Sequence, residues 1–173
     1  MNGMMMSDIV ATPAGTCTTL HIGSDVTRVT RTGNGQPDET LVLRIGSVTT
    51  ARDFFKHVPP TPLELENAIM AVEDEVIRAG KWLAQDSTLC TSDVGIREMA
   101  QLAGVAGSAR MVWPVDAVEQ QFDLLAAWVQ GRPASSAGIP LEPDFASRLL
   151  ILREFMHHLQ FASITVKADQ TPG

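Results

Sequence analysis

The chain has 173 residues, 45% of them hydrophobic, and 13 Lys and Arg against 20 Asp and Glu give it a formal net charge of -7. That suffices for one filled core but not for two full catalytic domains, and the singly scattered basic residues exclude a stripe able to neutralise a nucleic-acid backbone. Two cysteines, Cys17 and Cys90, in neither a CxxC pair nor a histidine-paired ligand spacing, exclude a disulfide framework and read as small buried hydrophobes.

Residues 1 to 15 read as a frayed, flexible leader, with methionines but neither a basic n-region nor an apolar stretch of membrane length. A soluble cytoplasmic protein without a membrane or nucleic-acid partner is expected. "TTLHI" then alternates, with Leu20 and Ile22 on one face and His21 on the other, and "VTRVTRT" follows after a very short connection. The β-branched content makes this a hairpin. "GNGQPDE" collects turn formers, with Asn34-Gly35 suited to positive φ, before "TLVLRIGS" resumes as a third strand carrying Leu41, Leu43 and Ile45 on one side.

In "PPTPLELENAIMAVEDEVIRAG", Thr61 caps, Pro62 takes the first helical position and Glu64 completes a capping box. Leu65, Ile69, Val72 and Val76 recur at helical spacing, Met70 and Ile77 widen the apolar face, and Gly80 is placed to end the helix. "STLCTSD" is a short strand, "VGIREMAQLAG" a helix closed near Gly104, "ARMVWP" a short apolar strand, and "VDAVEQQFDLLAAWVQG" a helix finishing at Gly131. A surface linker, "RPASSAGIPLEP", leads to a helix with Phe145, Leu149, Leu152, Met156 and Leu159 as its core stripe. "FASITVKA" closes as a strand, and residues 169–173 are a tail. Residues 16–168 therefore read as one α/β domain: a mixed sheet beginning with three antiparallel strands, then alternating helices and strands, an order that resembles the ribonuclease H-like and actin-like fold.

Chemistry is concentrated at two short stretches. In "HIGSD", Gly23 permits a tight turn, its N–H and that of Ser24 can face an anion, and Asp25 can bond its own backbone or hold a cation through water. An ordinary two-residue hairpin connection would choose the same residues. His21, beside it, is an acid/base or ligand in one reading and a half-buried polar strand residue in the other. In "CTSDVGIRE", Thr91, Ser92 and Asp93 stand where a strand ends and a helix begins, a place for phosphate, though capping by Ser92 or Asp93 explains them as well. Glu64, Glu66, Glu73, Asp74 and Glu75 are spaced as a solvated helix face. His157 and His158 diverge as neighbours do, and both suit a helix C-terminus. With no HExxH, GxxxxGK[ST], GxSxG or Cys/His cluster present, neither a metal nor a cofactor is implied by these motifs.

Taken together, "LHIGSDVTRV", "TSDVGIREMA" and "RMVWPVDAVEQQFDLL" resemble the first domain of the exopolyphosphatase and guanosine-pentaphosphate phosphatase family over about residues 16 to 130. That family's opening strand runs into an acid, then glycine, serine and asparagine; its later strand ends in threonine-serine-alanine before an Arg-Glu-Ala. Here His21 stands in place of the acid, Asp25 in place of the asparagine, and two extra residues separate Ser92 from Arg97. The family's second domain brings another glycine-rich phosphate loop, and no DxGGGS-like run exists in this chain. A single domain exposes a half-site unless a dimer supplies the other wall.

The resemblance and its departures imply a non-catalytic domain related to phosphatases that forms a homo-oligomer, binds a small anionic ligand through Gly23, Ser24, Thr91 and Ser92, or does both. The alternative is a hydrolase of a phosphoanhydride or phosphate ester dependent on a divalent metal such as magnesium. In it Asp25 and Asp93 hold the ion, Ser24 and Thr91 contact phosphate, Glu119 positions water, and His21 is a further candidate. Three tryptophans, Trp82, Trp113 and Trp128, support a dimer if they line an exposed patch.

Overall fold

A computed structural model of the chain describes residues 15–33, 35–83 and 86–168. The leader before residue 15, Asn34 and the tail after residue 168 lie outside the described residues. The strands are β1 (Cys17–Ile22), β2 (Thr27–Gly33), β3 (Gln36–Leu43), β4 (Thr88–Thr91), β5 (Arg110–Pro114) and β6 (Ser163–Lys167). The helices are α1 (Ser47–Phe54), α2 (Pro62–Trp82), α3 (Val94–Leu102), α4 (Val115–Val129) and α5 (Pro143–His158), with a 3-10 turn at Ala134–Ser136.

One six-stranded sheet has the order β3-β2-β1-β4-β6-β5. β1, β2 and β3 pair antiparallel, β4 and β6 join parallel to β1, and β5 closes the far edge antiparallel to β6. The C-terminal ends of β1, β4 and β6 therefore share one edge of the sheet, and β6 starts at the opposite edge, just beyond the C-terminus of α5.

Alternation along β1 puts Thr18, Leu20 and Ile22 in the core and leaves His21 exposed. Gly35 takes a φ of 68°, as the turn there requires. The hairpin connection between β1 and β2 is longer than two residues: it spans residues 23–26, closed by the Gly23 N–H donating to the Val26 carbonyl at 2.9 Å.

α2 begins with both bonds of the capping box in place, Thr61 Oγ1 accepting from the Glu64 N–H and the Glu64 carboxylate accepting from the Thr61 N–H. Its buried stripe is Leu65, Ala68, Val72, Val76 and Ala79. Met70 and Ile77, expected to widen that face, point to solvent on the other side of the helix. Gly80 does not end the helix, which runs two residues further. It instead leaves room for Leu159, whose methyl group would lie 2.8 Å from a Cβ there.

The third strand stops at Leu43 rather than running on to Ser47, which instead opens α1, a helix the sequence reading did not assign. Val48, Thr49 and Thr50 are β-branched and favour strand on local grounds. The N–H groups of Ser47, Val48 and Thr49, however, donate to the carbonyls of Gly23 and Ser24 at 2.9 to 3.1 Å, so the β1–β2 loop caps a helix with no side-chain cap of its own.

α5 is buried on nearly every side, packed against α1, α2 and α4, and it forms the middle of the core. The linker before it is less of a surface segment than its composition suggests, since Ala137 and Ile139 are buried.

Candidate functional site

The edge where β1 and β4 end is organised by Asp93 and Thr91. Asp93 caps α3: its Oδ1 accepts from the N–H of Gly95 at 2.8 Å and of Ile96 at 3.4 Å. Its Oδ2 accepts the Ile22 N–H at 2.8 Å, which ties the start of α3 to the end of β1. Thr91 Oγ1 donates to the Leu20 carbonyl at 2.6 Å and accepts the Asp93 N–H at 3.0 Å. Both residues are buried, and their polar atoms are engaged by backbone.

Of the residues singled out in the sequence, His21 and Asp93 are brought together, with His21 Nδ1 3.6 Å from Asp93 Oδ2 at the rim. Ser24, Asp25 and Ser92 are exposed there. Asp25 accepts from Thr49 Oγ1 through its carbonyl and faces a cleft of about 510 Å3 that Arg44, Arg52, Asp53 and Glu75 also line. The Gly23 N–H is turned into its own loop, where it donates to the Val26 carbonyl.

Glu119 is not part of this edge. It lies near the start of α4, held by Arg153 Nε at 3.1 Å, with His157 Nδ1 passing 3.1 Å from its other oxygen. His157 belongs to the last turn of α5, which precedes β6, so Glu119 sits at the opposite edge of the sheet from Asp93.

A residue that sequence reasoning passed over completes the arrangement. Arg148, in the second turn of α5, reaches Ser47 Oγ at 3.4 Å and lies against Gly95. Its guanidinium thus stands where the N-termini of α1 and α3 meet, its Nε buried with no hydrogen-bond partner. No carboxylate among the described residues pairs with it. Positive charge at two helix N-termini runs against both dipoles, and an unmet buried donor adds to the conflict. Nothing local marks Arg148, which sits inside an apolar run; of its neighbours, Ser47 is 101 positions away and Gly95 belongs to α3.

Both Asp93 oxygens accept backbone N–H groups, and the Asp25 side chain makes no hydrogen bond among the described residues. Burial, followed by the neighbouring Cys17, pushes the Cys90 thiol up, so it is a poor nucleophile. Trp113 and Trp128 are buried, and Trp82 is half-buried with the Arg31 guanidinium 4.3 Å above its ring, so the tryptophans form no exposed patch for a dimer. No helix among the described residues is long and apolar enough to cross a membrane.

The strand order and the site at the carboxyl ends of its parallel strands define a mixed α/β domain of the ribonuclease H-like class. No protein-family model matches the chain, and no curated protein does. Among solved structures it is similar to the type II variant of the Aquifex aeolicus Ppx/GppA phosphatase, with a TM-score of 0.69 at 18% identity over 90% of this chain and 54% of that one. A second structure of the Aquifex aeolicus PPX-GPPA enzyme gives 0.71 at 18% identity over 90% and 54%. An exopolyphosphatase from Cytophaga hutchinsonii gives 0.67 at 14% identity over 88% and 53%. The chain has the fold of part of these proteins and spans about half of their length.

Proposed function

We propose that this domain binds a phosphate group at the edge formed by the ends of β1 and β4, as one wall of a site that hydrolyses a phosphoanhydride or phosphate ester. The observation that carries the reading is Arg148: a permanent cation with a buried, unmet Nε, placed between two helix N-termini. A phosphate oxygen there would satisfy the donor and complement both dipoles at once. The fold shared with structures described as phosphatases and exopolyphosphatases supports the same chemistry. Catalysis of phosphoryl transfer rests on positioning and charge neutralisation, so a second wall facing Arg148 is part of the proposal.

A second reading, binding without turnover, is favoured by one feature. Asp93 and Thr91 are engaged by the backbone, and His21 rather than an acid flanks them, which leaves Asp25 as the carboxylate free to act. Release of inorganic phosphate from tripolyphosphate, with magnesium present, separates the two. Turnover that falls at least tenfold in Arg148→Gln supports the hydrolase. Saturable binding without release supports the second reading, and neither binding nor release overturns both.

A further inference from the structure

At the sheet edge opposite Asp93, α2 and the last turns of α5 bring together residues that are far apart in the chain. Glu154 and His158 stand four residues apart on α5 and so share a face, and Glu73 of α2 packs across from them. One ligand atom from each of the three lies within 4.8 Å of the others. His158 Nε2 is 2.9 Å from Glu154 Oε2 and 3.3 Å from Glu73 Oε1. Ligand atoms about 2.1 Å from an ion stand about 3.4 Å apart at a tetrahedral angle and about 3.0 Å apart at a right angle.

Glu154 provides the independent observation. Its side chain is 0% exposed, and its Oε2 has no hydrogen bond, because the imidazole is aligned on Glu73 and merely passes close to Glu154. The other oxygen, Oε1, is taken by Arg153. A buried carboxylate oxygen without a donor is a costly arrangement, and this one is aimed into the cluster.

Charge points the same way. Glu119 and Glu154 share one guanidinium, that of Arg153, while Glu73 faces the His158 ring, so the permanent cation among these three carboxylates is bonded to two of them and not to Glu73. Arg153 bonds Glu154 Oε1 through Nη1 and Glu119 through Nε, which fixes the orientation of the Glu154 carboxylate. His158 is 33% exposed and borders a cleft of about 410 Å3, also lined by Gly80, Asp86 and Gln160, which gives an ion access and room for water.

We propose that Glu73, Glu154 and His158 bind a divalent transition ion of the zinc class, with water completing its coordination. One imidazole with two carboxylates suits zinc or cobalt better than magnesium, which prefers oxygen alone. The ion would join α2 to α5 and lies apart from the phosphate edge, so the two proposals stand or fall separately.

The test is calorimetric titration of the metal-stripped chain with Zn2+, and with Co2+ read by its visible absorption. Wild type should bind one ion, with Co2+ bands of a four- or five-coordinate site. His158→Gln and Glu73→Gln, both at partly exposed positions and checked for unchanged metal-free melting, should each bind at least tenfold more weakly. No binding by wild type, or equal binding by His158→Gln, would overturn the proposal.

Discussion

Arg148 stands so close to Gly95 that a Cβ on Gly95 would fall 2.6 Å from Nε and 2.7 Å from Cζ. The first turn of α3 and the second turn of α5 meet there with only hydrogen between them, which is how a long side chain from the central helix reaches the strand-end edge. In Gly95→Ala the atoms that must give way are the far end of a flexible side chain, so the stability lost should be small, about 1 kcal/mol. The guanidinium, however, must leave its place. Phosphate affinity should therefore fall several-fold while the urea midpoint moves little, and calorimetry beside urea denaturation measures both.

Gly46 presents the opposite case. A Cβ there would lie 2.3 Å from the Ser24 carbonyl oxygen and 2.5 Å from the Asp25 carbonyl carbon, and backbone cannot yield as a side-chain end does. The β1–β2 loop and the start of α1 would have to separate, and the bonds from Ser47, Val48 and Thr49 with them. Gly46→Ala is expected to lower stability by about 3 kcal/mol or more, seen as a large fall in urea midpoint.

These two glycines also explain what could and could not be read from the chain. α2 was legible because every signal in it is local: a capping box, a proline at the first position and a stripe of period 3.6. α1 was not, since its β-branched start argues for strand and its cap is supplied by the carbonyls of Gly23 and Ser24, more than twenty positions earlier. The same holds for the site. Asp93 and His21 stand out in the sequence because strand ends and helix starts are marked by residue type. Arg148 was missed because its meaning depends on α1 and α3 arriving beside it, and Glu119 was placed at the wrong edge because nothing in its neighbourhood tells which end of the sheet a helix begins from. Glu73 read as part of a solvated face for the same reason: its partners lie on α5.

Thr91 and Asp93 act as one clip between β1, β4 and α3. Thr91→Val keeps the shape but leaves the Leu20 carbonyl and the Asp93 N–H buried without a partner, at about 1–3 kcal/mol. Asp93→Ala removes the α3 cap and the acceptor for Ile22 N–H, with an expected loss of about 2–4 kcal/mol. Because they share one network, the double variant should lose less than the sum of the two singles. A double-mutant cycle by chemical denaturation measures this.

Glu64 gives the fold an acid-sensitive fastening. Burial alone would raise its carboxyl, but the His57 ring and the N–H groups of Thr61 and Lys56 outweigh that and hold it below its ordinary value. A carboxyl depressed in the folded state adds stability above its unfolded value, about 4.3, and loses it as pH falls through the lower folded value. Glu64→Gln should therefore melt lower than wild type near neutrality, and the gap should close on acidification below the ordinary carboxylate range. Paired thermal melts across that range show it, and a gap that stays constant would contradict the assignment.

Phosphate binding at Arg148, proposed for the strand-end edge, is tested most directly by calorimetric titration of tripolyphosphate into the metal-stripped wild type, Arg148→Gln and Arg132→Gln. Arg132 is exposed in the segment after α4 and serves as the charge-matched control. Affinity should drop at least tenfold in Arg148→Gln at an unchanged melting temperature and stay at the wild-type level in Arg132→Gln. Equal affinity in all three, or no binding by wild type, would contradict the claim.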